Sequence, residues 1–371
     1  MSSLPSTARA AVLTAFGQPL EIRELAVGKP EPAALTVRVL ASTICGTDVH
    51  FWRGEGNSHW RLPVVLGHEI VGEVAAIGAG AEVDSLGEPL AIGDRVVWTH
   101  GPCGHCHNCT VAKHPEWCSN IKMGHSHPIS EPPFMAGTFA EYSYVWPSSG
   151  RVKVPDGVAD GWASAASCAL RTVISAFETL GAIDERHTVV IQGAGPLGLF
   201  ATAIASLKQP RRLVVVGAPA ERLELATEWG ADEVVDITVD RTPEERRRRV
   251  RDAVGARGAD VALELSGGRG AFAEGIELLG DGGRYMVVGT IGGGSQEVNA
   301  PMIVWKALTI FSNKSAFTDS YAAAIQFLAR HRDRFDWNRM LSRTYPLERT
   351  TEALESMERF AEIKAVIRPN G

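Results

Sequence analysis

The sequence predicts an α/β fold in which a parallel, doubly wound sheet occupies the second half of the chain. Short apolar strands alternate with helices there, which is the pattern typical of such sheets. We predict strands at 187–192, 213–216, 233–235, 261–265 and 284–288, and helices ending near 207 and at 219–229, 243–254 and 271–279. A chain of 371 residues is long enough for a second domain with its own core.

A glycine-rich turn, Gly193-Ala194-Gly195-Pro196-Leu197-Gly198, joins the first predicted strand to the first helix. A G-x-G-x-x-G pattern in this position is a dinucleotide-binding fingerprint. Gly193 makes the tight turn, Gly195 lets a pyrophosphate approach the backbone, and Gly198 packs the helix against the strand. The start of the helix favours phosphate, so Pro196 and Leu197 join the glycines as candidate cofactor contacts.

The preference between NAD and NADP is left open by the end of the second predicted strand. NAD-selective versions of this fold place an acidic residue there, which binds the ribose 2′-hydroxyl. Here Val216 is followed by Gly217, Ala218 and Pro219. Arg222 could reach a 2′-phosphate, or it could be an exposed residue at the start of a helix.

Residues after the later strands are further candidates for contact with the cofactor. Parallel strands bind ligands at their carboxyl ends, and Val288 closes the last predicted strand. A group of glycines lies at the same edge, namely Gly267, Gly268, Gly289 and Gly292.

Four of the six cysteines lie close together in the sequence GPCGHCHNCTVAKHPEWC. They are Cys103, Cys106, Cys109 and Cys118. A C-x-x-C-x-x-C run with a fourth cysteine nearby allows the thiolates to converge on one tetrahedral zinc ion. Gly104 eases the turn between the first two. Because four protein sulfurs fill the coordination shell, this zinc is predicted to be structural.

The other two cysteines, Cys45 and Cys168, lie far apart in the sequence. Together with His68 they offer two thiolates and one imidazole, a set that neutralises Zn²⁺ and leaves one position open, as a catalytic zinc requires. On spacing alone, a lone buried Cys or His is more often a core residue than a metal ligand.

The composition excludes several classes of partner. The net charge of −6 gives no attraction to nucleic acid or to an anionic membrane, although Arg246, Arg247, Arg248 and Arg249 form a local basic run that fits a solvated helix. The sequence contains neither an apolar run long enough to span a membrane nor a secretion signal. We therefore expect a cytoplasmic protein with reduced thiols.

These motifs together resemble the zinc-containing alcohol dehydrogenases of the medium-chain dehydrogenase/reductase superfamily. The resemblance runs from about residue 10 to the C-terminus and rests on ICGTDVH, GHE, CGHCHNC and VVIQGAGPLGLF. Bacterial members that share the QGAGPLGLF stretch are the most similar. The resemblance implies a GroES-like, β-rich catalytic domain at 1–165 that is completed by 313–371. A Rossmann domain at 166–312 would be inserted between these parts, with the active site in a cleft.

The resemblance also implies roles for individual residues. It implies that Cys45, His68 and Cys168 hold a catalytic zinc, with Asp48 and Glu69 as carboxylates outside the ligand shell that orient the imidazole and balance charge. Polyol-oxidising relatives often have Glu as the third ligand, and Cys168 departs from that pattern.

The implied reaction is reversible hydride transfer between an alcohol and NAD or NADP, with two zinc ions per chain. Thr47 and His50 would relay the alcohol proton through the cofactor ribose, and Thr172 would lie against the nicotinamide. Lys364 would lie near the pyrophosphate or on the surface. A homodimer or homotetramer is expected.

The substrate is left open. A secondary alcohol or small cyclic polyol is favoured, and Trp52, Trp98, His100 and residues 123–135 are candidates to line its pocket. Two alternatives to an alcohol dehydrogenase are a zinc-free quinone or enoyl reductase and a catalytically silent NAD(P)H-binding redox sensor. Neither the reductase nor the redox sensor would need an open zinc position or the Thr47–His50 relay.

Overall fold

The computed structural model describes residues 4–56, 59–289 and 295–371, so Gly292 lies outside the described residues. The strands are β1 (Thr7–Leu13), β2 (Glu21–Ala26), β3 (Leu35–Thr43), β4 (Val64–Val65), β5 (Val71–Ile77), β6 (Arg95–Trp98), β7 (Tyr142–Val145), β8 (Arg151–Lys153), β9 (Thr188–Gln192), β10 (Arg212–Gly217), β11 (Glu233–Asp236), β12 (Ala259–Glu264), β13 (Leu279–Val287), β14 (Thr309–Ser312), β15 (Thr344–Pro346) and β16 (Val366–Arg368).

The helices are α1 (Gly46–Arg53), α2 (His107–Thr110), α3 (Asp160–Ala165), α4 (Arg171–Leu180), α5 (Pro196–Leu207), α6 (Ala220–Glu228), α7 (Pro243–Val254), α8 (Ala271–Leu278), α9 (Ala300–Trp305), α10 (Thr318–Arg330) and α11 (Thr350–Glu358). Among the described residues, none of these helices has both the length and the apolar character needed to cross a membrane.

The chain forms two compact units, one of residues 1–171 and 315–371 and the other of residues 172–314. The sequence analysis placed these boundaries at 165/166 and 312/313 instead. The first boundary differs because the chain is helical from Asp160 to Leu180: α3 continues through a π-helical turn, Ala166–Leu170, directly into α4. No loop marks the division, so turn-forming residues could not indicate it.

The second unit confirms the predicted parallel α/β sheet. Its six strands are ordered β11-β10-β9-β12-β13-β14, and every neighbouring pair is parallel. The core packs on Val190, Val214 and Ala262, which are fully buried. Predicted and observed bounds agree to within about two residues for most elements, but β13 begins at Leu279 rather than at 284.

The first unit is rich in antiparallel strands. A seven-stranded sheet has the order β15-β16-β3-β5-β6-β8 with β7 also paired to β3, and a second sheet has the order β2-β1-β4. Strand β16 pairs antiparallel with β3, in the register Val366↔Thr43 and Ile367↔Ser42. This pairing ties the C-terminal part of the chain to the sheet that leads into Cys45.

Candidate metal centres

Asp48 connects two of the predicted zinc ligands. Helix α1 begins directly after Cys45, and the backbone N–H of Cys45 donates to Asp48 Oδ2 at 3.0 Å. The other carboxylate oxygen, Oδ1, lies 2.9 Å from His68 Nδ1, and Asp48 is fully buried. The ring therefore donates through Nδ1, which leaves Nε2 as the nitrogen available for a metal.

The third predicted ligand lies beside that nitrogen. Cys168 Sγ is 3.6 Å from His68 Nε2. One donor atom from each of Cys45, His68, Glu69 and Cys168 falls within 4.8 Å of all the others. Two sulfurs and one imidazole nitrogen form a donor set suited to zinc, so these residues fit the ion that the sequence predicted. Cys168 lies in the π-helical turn, a distortion frequent at functional sites.

The two thiols interact directly. The pKa of the Cys45 thiol lies well below its usual value, mainly because of its hydrogen bond with Cys168. The nearby His68 and Lys364 lower this pKa as well, whereas burial opposes the change. The same contact with Cys45, together with burial, raises the pKa of the Cys168 thiol. These directions favour the thiolate form of Cys45, which is the form that binds a metal cation.

Glu69 has both carboxylate oxygens occupied by neighbouring side chains. Thr43 Oγ1 donates to Oε2 at 2.5 Å, and Lys364 Nζ donates to Oε1. Lys364 also lies 3.4 Å from the carbonyl oxygen of Ile44. Burial raises the pKa of Glu69, and the Lys364 ammonium opposes that rise. These contacts hold the carboxylate beside Cys45, His68 and Cys168.

Lys364 is buried, so the alternative of a surface lysine was wrong, whereas a position near the pyrophosphate stays a prediction. Its side chain is 1% exposed and its ammonium binds Glu69. The glutamate also raises the pKa of Lys364, to about 12, although burial opposes this. The pair joins residues 295 positions apart, so local spacing could not predict it. The available signal was a lysine within the apolar segment Ile363–Ile367.

Thr47 and His50 both lie on α1, three positions apart and thus on one face of the helix. Thr47 is partly buried. The His50 side chain is 43% exposed, and its Nδ1 lies 2.6 Å from Glu55 Oε2. The bond at Nδ1 leaves Nε2 of His50 able to exchange a proton with solvent.

The four clustered cysteines also converge. The sulfurs of Cys103, Cys106, Cys109 and Cys118 lie within 4.8 Å of one another. Cys118 Sγ accepts backbone N–H bonds from Cys103 at 3.2 Å and Asn120 at 3.3 Å. Backbone donors lower the pKa of Cys106 to about 6. Such donors stabilise thiolates, so the loop fits a tetrahedral zinc with four sulfur ligands.

The glycine-rich turn has the shape that its sequence predicted. Gly193 has a φ of +116°, and a Cβ there would lie 3.0 Å from the backbone of Leu265. A Cβ on Gly198 would lie 1.8 Å from the carbonyl oxygen of Gly193, so that helix α5 can approach β9 only with glycine at this position. The space around Gly195 is open. Pro196 and Leu197 form the first turn of α5.

Other candidate cofactor residues are mostly buried. Arg222 lies in the first turn of α6 with 8% exposure, which corrects the alternative of an exposed residue. Burial lowers the pKa of its guanidinium. The backbone carbonyl of Thr172 accepts a bond from Asn313 Nδ2 at 3.0 Å, and the Val288 N–H donates to the carbonyl of Glu264 at 3.0 Å.

The candidates for the substrate pocket divide into two groups. Trp52 and Trp98 are 2% and 3% exposed and belong to hydrophobic cores, so they are structural. His125, one of the residues 123–135, lies near the predicted metal ligands, since its ring centroid is 5.3 Å from that of His68. The ring of His100 contacts that of His125 in turn. Sequence analysis missed Phe51 and Trp60, which surround His125.

Comparison with known proteins agrees with the fold. Residues 31–156 match the alcohol dehydrogenase GroES-like domain, and residues 196–330 match the zinc-binding dehydrogenase family. The chain therefore belongs to the zinc-binding alcohol dehydrogenases of the medium-chain dehydrogenase/reductase superfamily, and it is an oxidoreductase.

Two of the following relatives cover nearly the whole chain, and one covers about three quarters of it. The 5-exo-hydroxycamphor dehydrogenase of Pseudomonas putida is 32% identical over 362 residues, 97% of this chain and 98% of that protein. The L-threonine 3-dehydrogenase of Deinococcus deserti is 33% identical over 76% of this chain and 77% of its own. The crystal structure of an alcohol dehydrogenase from Thermotoga maritima has a TM-score of 0.91 at 32% identity, covering 98% of this chain and all (100%) of its own.

Proposed function

We propose that this alcohol dehydrogenase holds a catalytic zinc through Cys45, His68 and Cys168. The observation that carries the proposal is the convergence of two thiols and one imidazole, with Asp48 bound to both the backbone of Cys45 and the ring of His68. Zinc in such a site supplies a Lewis acid for the alcohol or carbonyl oxygen. Glu69 balances its charge.

Thr47 and His50 are proposed to move the alcohol proton. The Thr47 hydroxyl lies in the first turn of α1, two residues after Cys45, and can accept a proton at Oγ1. His50 is on the same helix face, partly exposed, with Nε2 available for exchange with solvent. Histidine suits this task because its ordinary pKa is near neutrality.

A second zinc is proposed for Cys103, Cys106, Cys109 and Cys118, which gives two ions per chain. All four ligand positions of this ion are sulfur, so its role is structural. The cofactor is proposed to bind at Gly193–Gly198, with Thr172 and Val288 as further contacts, and Arg222 as the partner of a 2′-phosphate if NADP is used.

The proposed substrate is a secondary alcohol, cyclic rather than linear. The hydroxycamphor dehydrogenase of Pseudomonas putida supports this, because it is similar over nearly the full chain. The rings of Phe51 and Trp60, 4.6 Å apart between centroids and close to the metal ligands through His125, give apolar walls suited to a hydrocarbon ring.

A homodimer or homotetramer in the cytoplasm is also proposed. Strand β14 is the edge of the parallel sheet, with mostly exposed residues. Val304 and Trp305 of the preceding helix are 76% and 80% exposed. Large apolar side chains beside an uncovered strand edge favour association of two copies. The six free thiols are in keeping with a reducing compartment.

Metal analysis combined with an alcohol panel tests this function. We expect two zinc ions in the purified chain and one in Cys168→Ser, with hydride transfer lost and circular dichroism unchanged. The panel compares primary, secondary, cyclic and polyhydroxy alcohols with NAD and NADP separately. One zinc in the unmutated chain, with alcohols inert and quinones or enones reduced, would favour the zinc-free reductase. One zinc and no turnover of any substrate would favour the redox sensor.

A further inference from the structure

A cluster of rings lies beside His68, one of the proposed zinc ligands. We call it the ring cluster: Phe51, Trp60, His100 and His125. The His125 ring is nearly parallel to that of Phe51, at 15° and 5.2 Å between centroids. Its centroid is also 5.6 Å from Trp60, 5.2 Å from His100 and 5.3 Å from the ring of His68.

His125 is held firmly in this position. It lies in the short 3₁₀ turn Gly124–Ser126. A Cβ on Gly124 would lie 2.1 Å from the carbonyl oxygen of Ala136, so the turn packs directly against another stretch of backbone. Four ring contacts and this close backbone packing leave the imidazole little freedom to rotate toward a different partner.

The Nδ1 atom of His125 has an unmet need for a hydrogen bond. The residue is 4% exposed, and Nδ1 has no hydrogen-bond partner within the described part of the chain. Buried polar nitrogens almost always have a partner, and an exception near a catalytic centre indicates a ligand. His127, two positions away, shows the contrast: its Nε2 donates to the carbonyls of Glu131 and Pro132 at 3.1 and 3.0 Å.

The partner of this nitrogen should be uncharged. The His125 side chain is buried and its ring is in contact with four other rings, so a partner of Nδ1 is itself placed in largely apolar surroundings. Transfer of a charged carboxylate into such buried surroundings costs far more than transfer of a neutral oxygen that forms one hydrogen bond.

We propose that His125 is a specificity-determining residue whose Nδ1 hydrogen-bonds a second, neutral oxygen of the substrate. The preferred substrate is then a cyclic alcohol that carries a carbonyl group away from the reacting carbon, with its ring against Phe51 and Trp60. This inference rests on the proposed function, because it assigns the second polar contact of the same alcohol.

Three substrates that share a hydroxylated six-membered ring test it: cyclohexanol, 4-hydroxycyclohexanone and 4-hydroxycyclohexanecarboxylate. With the zinc-loaded protein, we expect kcat/KM for the hydroxyketone to exceed that for cyclohexanol by about tenfold, the effect of one hydrogen bond. The carboxylate should be the poorest of the three. His125→Phe keeps the ring stacking. In this variant the tenfold ratio of the two kcat/KM values should fall to about one, because kcat/KM falls for the hydroxyketone alone.

Two further variants separate a substrate contact from a structural role. His125→Asn keeps an amide near Nδ1 and should retain part of the preference for the hydroxyketone. His127→Gln is the matched control, and the ratio between the two substrates should not change in it. Zinc content and melting temperature are measured for every variant.

Three results would overturn the proposal. The first is an equal fall in kcat/KM for cyclohexanol and the hydroxyketone in His125→Phe. The second is no preference for the hydroxyketone over cyclohexanol in the unmutated protein. The third is a preference of that protein for the carboxylate. A complete lack of cyclic alcohol oxidation by the zinc-loaded protein would instead overturn the proposed function, and this inference with it.

Discussion

Replacing Lys364 by methionine should destabilise the protein strongly, because the Glu69 carboxylate would stay buried without its cation. The two side chains are 1% and 0% exposed. Removal of one partner from such a pair costs about 3–5 kcal/mol. In a domain of about 150–250 residues each kcal/mol lowers Tm by about 2–4 °C, so we expect Lys364→Met to lower Tm by about 6–20 °C.

Scanning calorimetry of the zinc-loaded protein measures this loss, and a double-mutant cycle assigns it. Adding Glu69→Gln to Lys364→Met removes both charges and should restore most of the Tm. Glu358→Gln is the control, since the Arg53–Glu358 pair is exposed (38% and 37%) and its loss should change Tm little. A Tm of Lys364→Met within about 2 °C of the unmutated protein would refute the argument. Additive losses in the double variant would refute it as well.

Two further predictions concern the second unit. Arg222→Ala should raise KM for NADP and leave KM for NAD unchanged, because only NADP carries a 2′-phosphate. Steady-state kinetics with each cofactor checks this. Equal changes in the two KM values would contradict it. The second of these predictions concerns Asp260. Burial raises the pKa of its carboxyl group, but hydrogen bonds from Thr188 N (2.7 Å) and Oγ1 (2.8 Å) lower it by more, so that this pKa lies below its ordinary value of 3.8. Stability from this contact is present above the unfolded-state pKa and is lost as the pH falls through the lower folded-state value. Asp260→Asn should therefore weaken the acid-side loss of stability in urea unfolding, and an unchanged pH dependence would contradict this.

The candidate residues whose convergence the sequence could indicate lie close together along the chain. Three of the four cysteines of the lobe follow one another at intervals of three, and the glycine turn lies between a strand and a helix that were both recognisable. Asp48, three residues after Cys45, caps the helix that starts there. In each case a local backbone conformation brings the side chains together, so spacing alone carries the information.

The domain boundary and the ring cluster illustrate where local pattern is insufficient. The boundary lies within continuous helix, where composition does not change abruptly. His125 lies about 65 residues after Trp60 and about 75 residues after Phe51 in the sequence. Only the folded chain shows that the three rings meet. Trp52, next to Phe51, is core, which single-sequence reasoning could not separate from a pocket residue.

Lys364 shows how a long-range contact can depend on strand register. Strand β16 pairs with β3 so that Val366 is opposite Thr43, the residue that donates to Glu69. Lys364 precedes Val366 by two positions and thereby reaches the carbonyl of Ile44, beside the ligand Cys45. A shift of one residue in this pairing would turn the lysine to the opposite face of the sheet. The charge beside the metal ligands is therefore set by the antiparallel pairing of the last strand, which explains why Glu69 could be predicted from its motif and its cation could not.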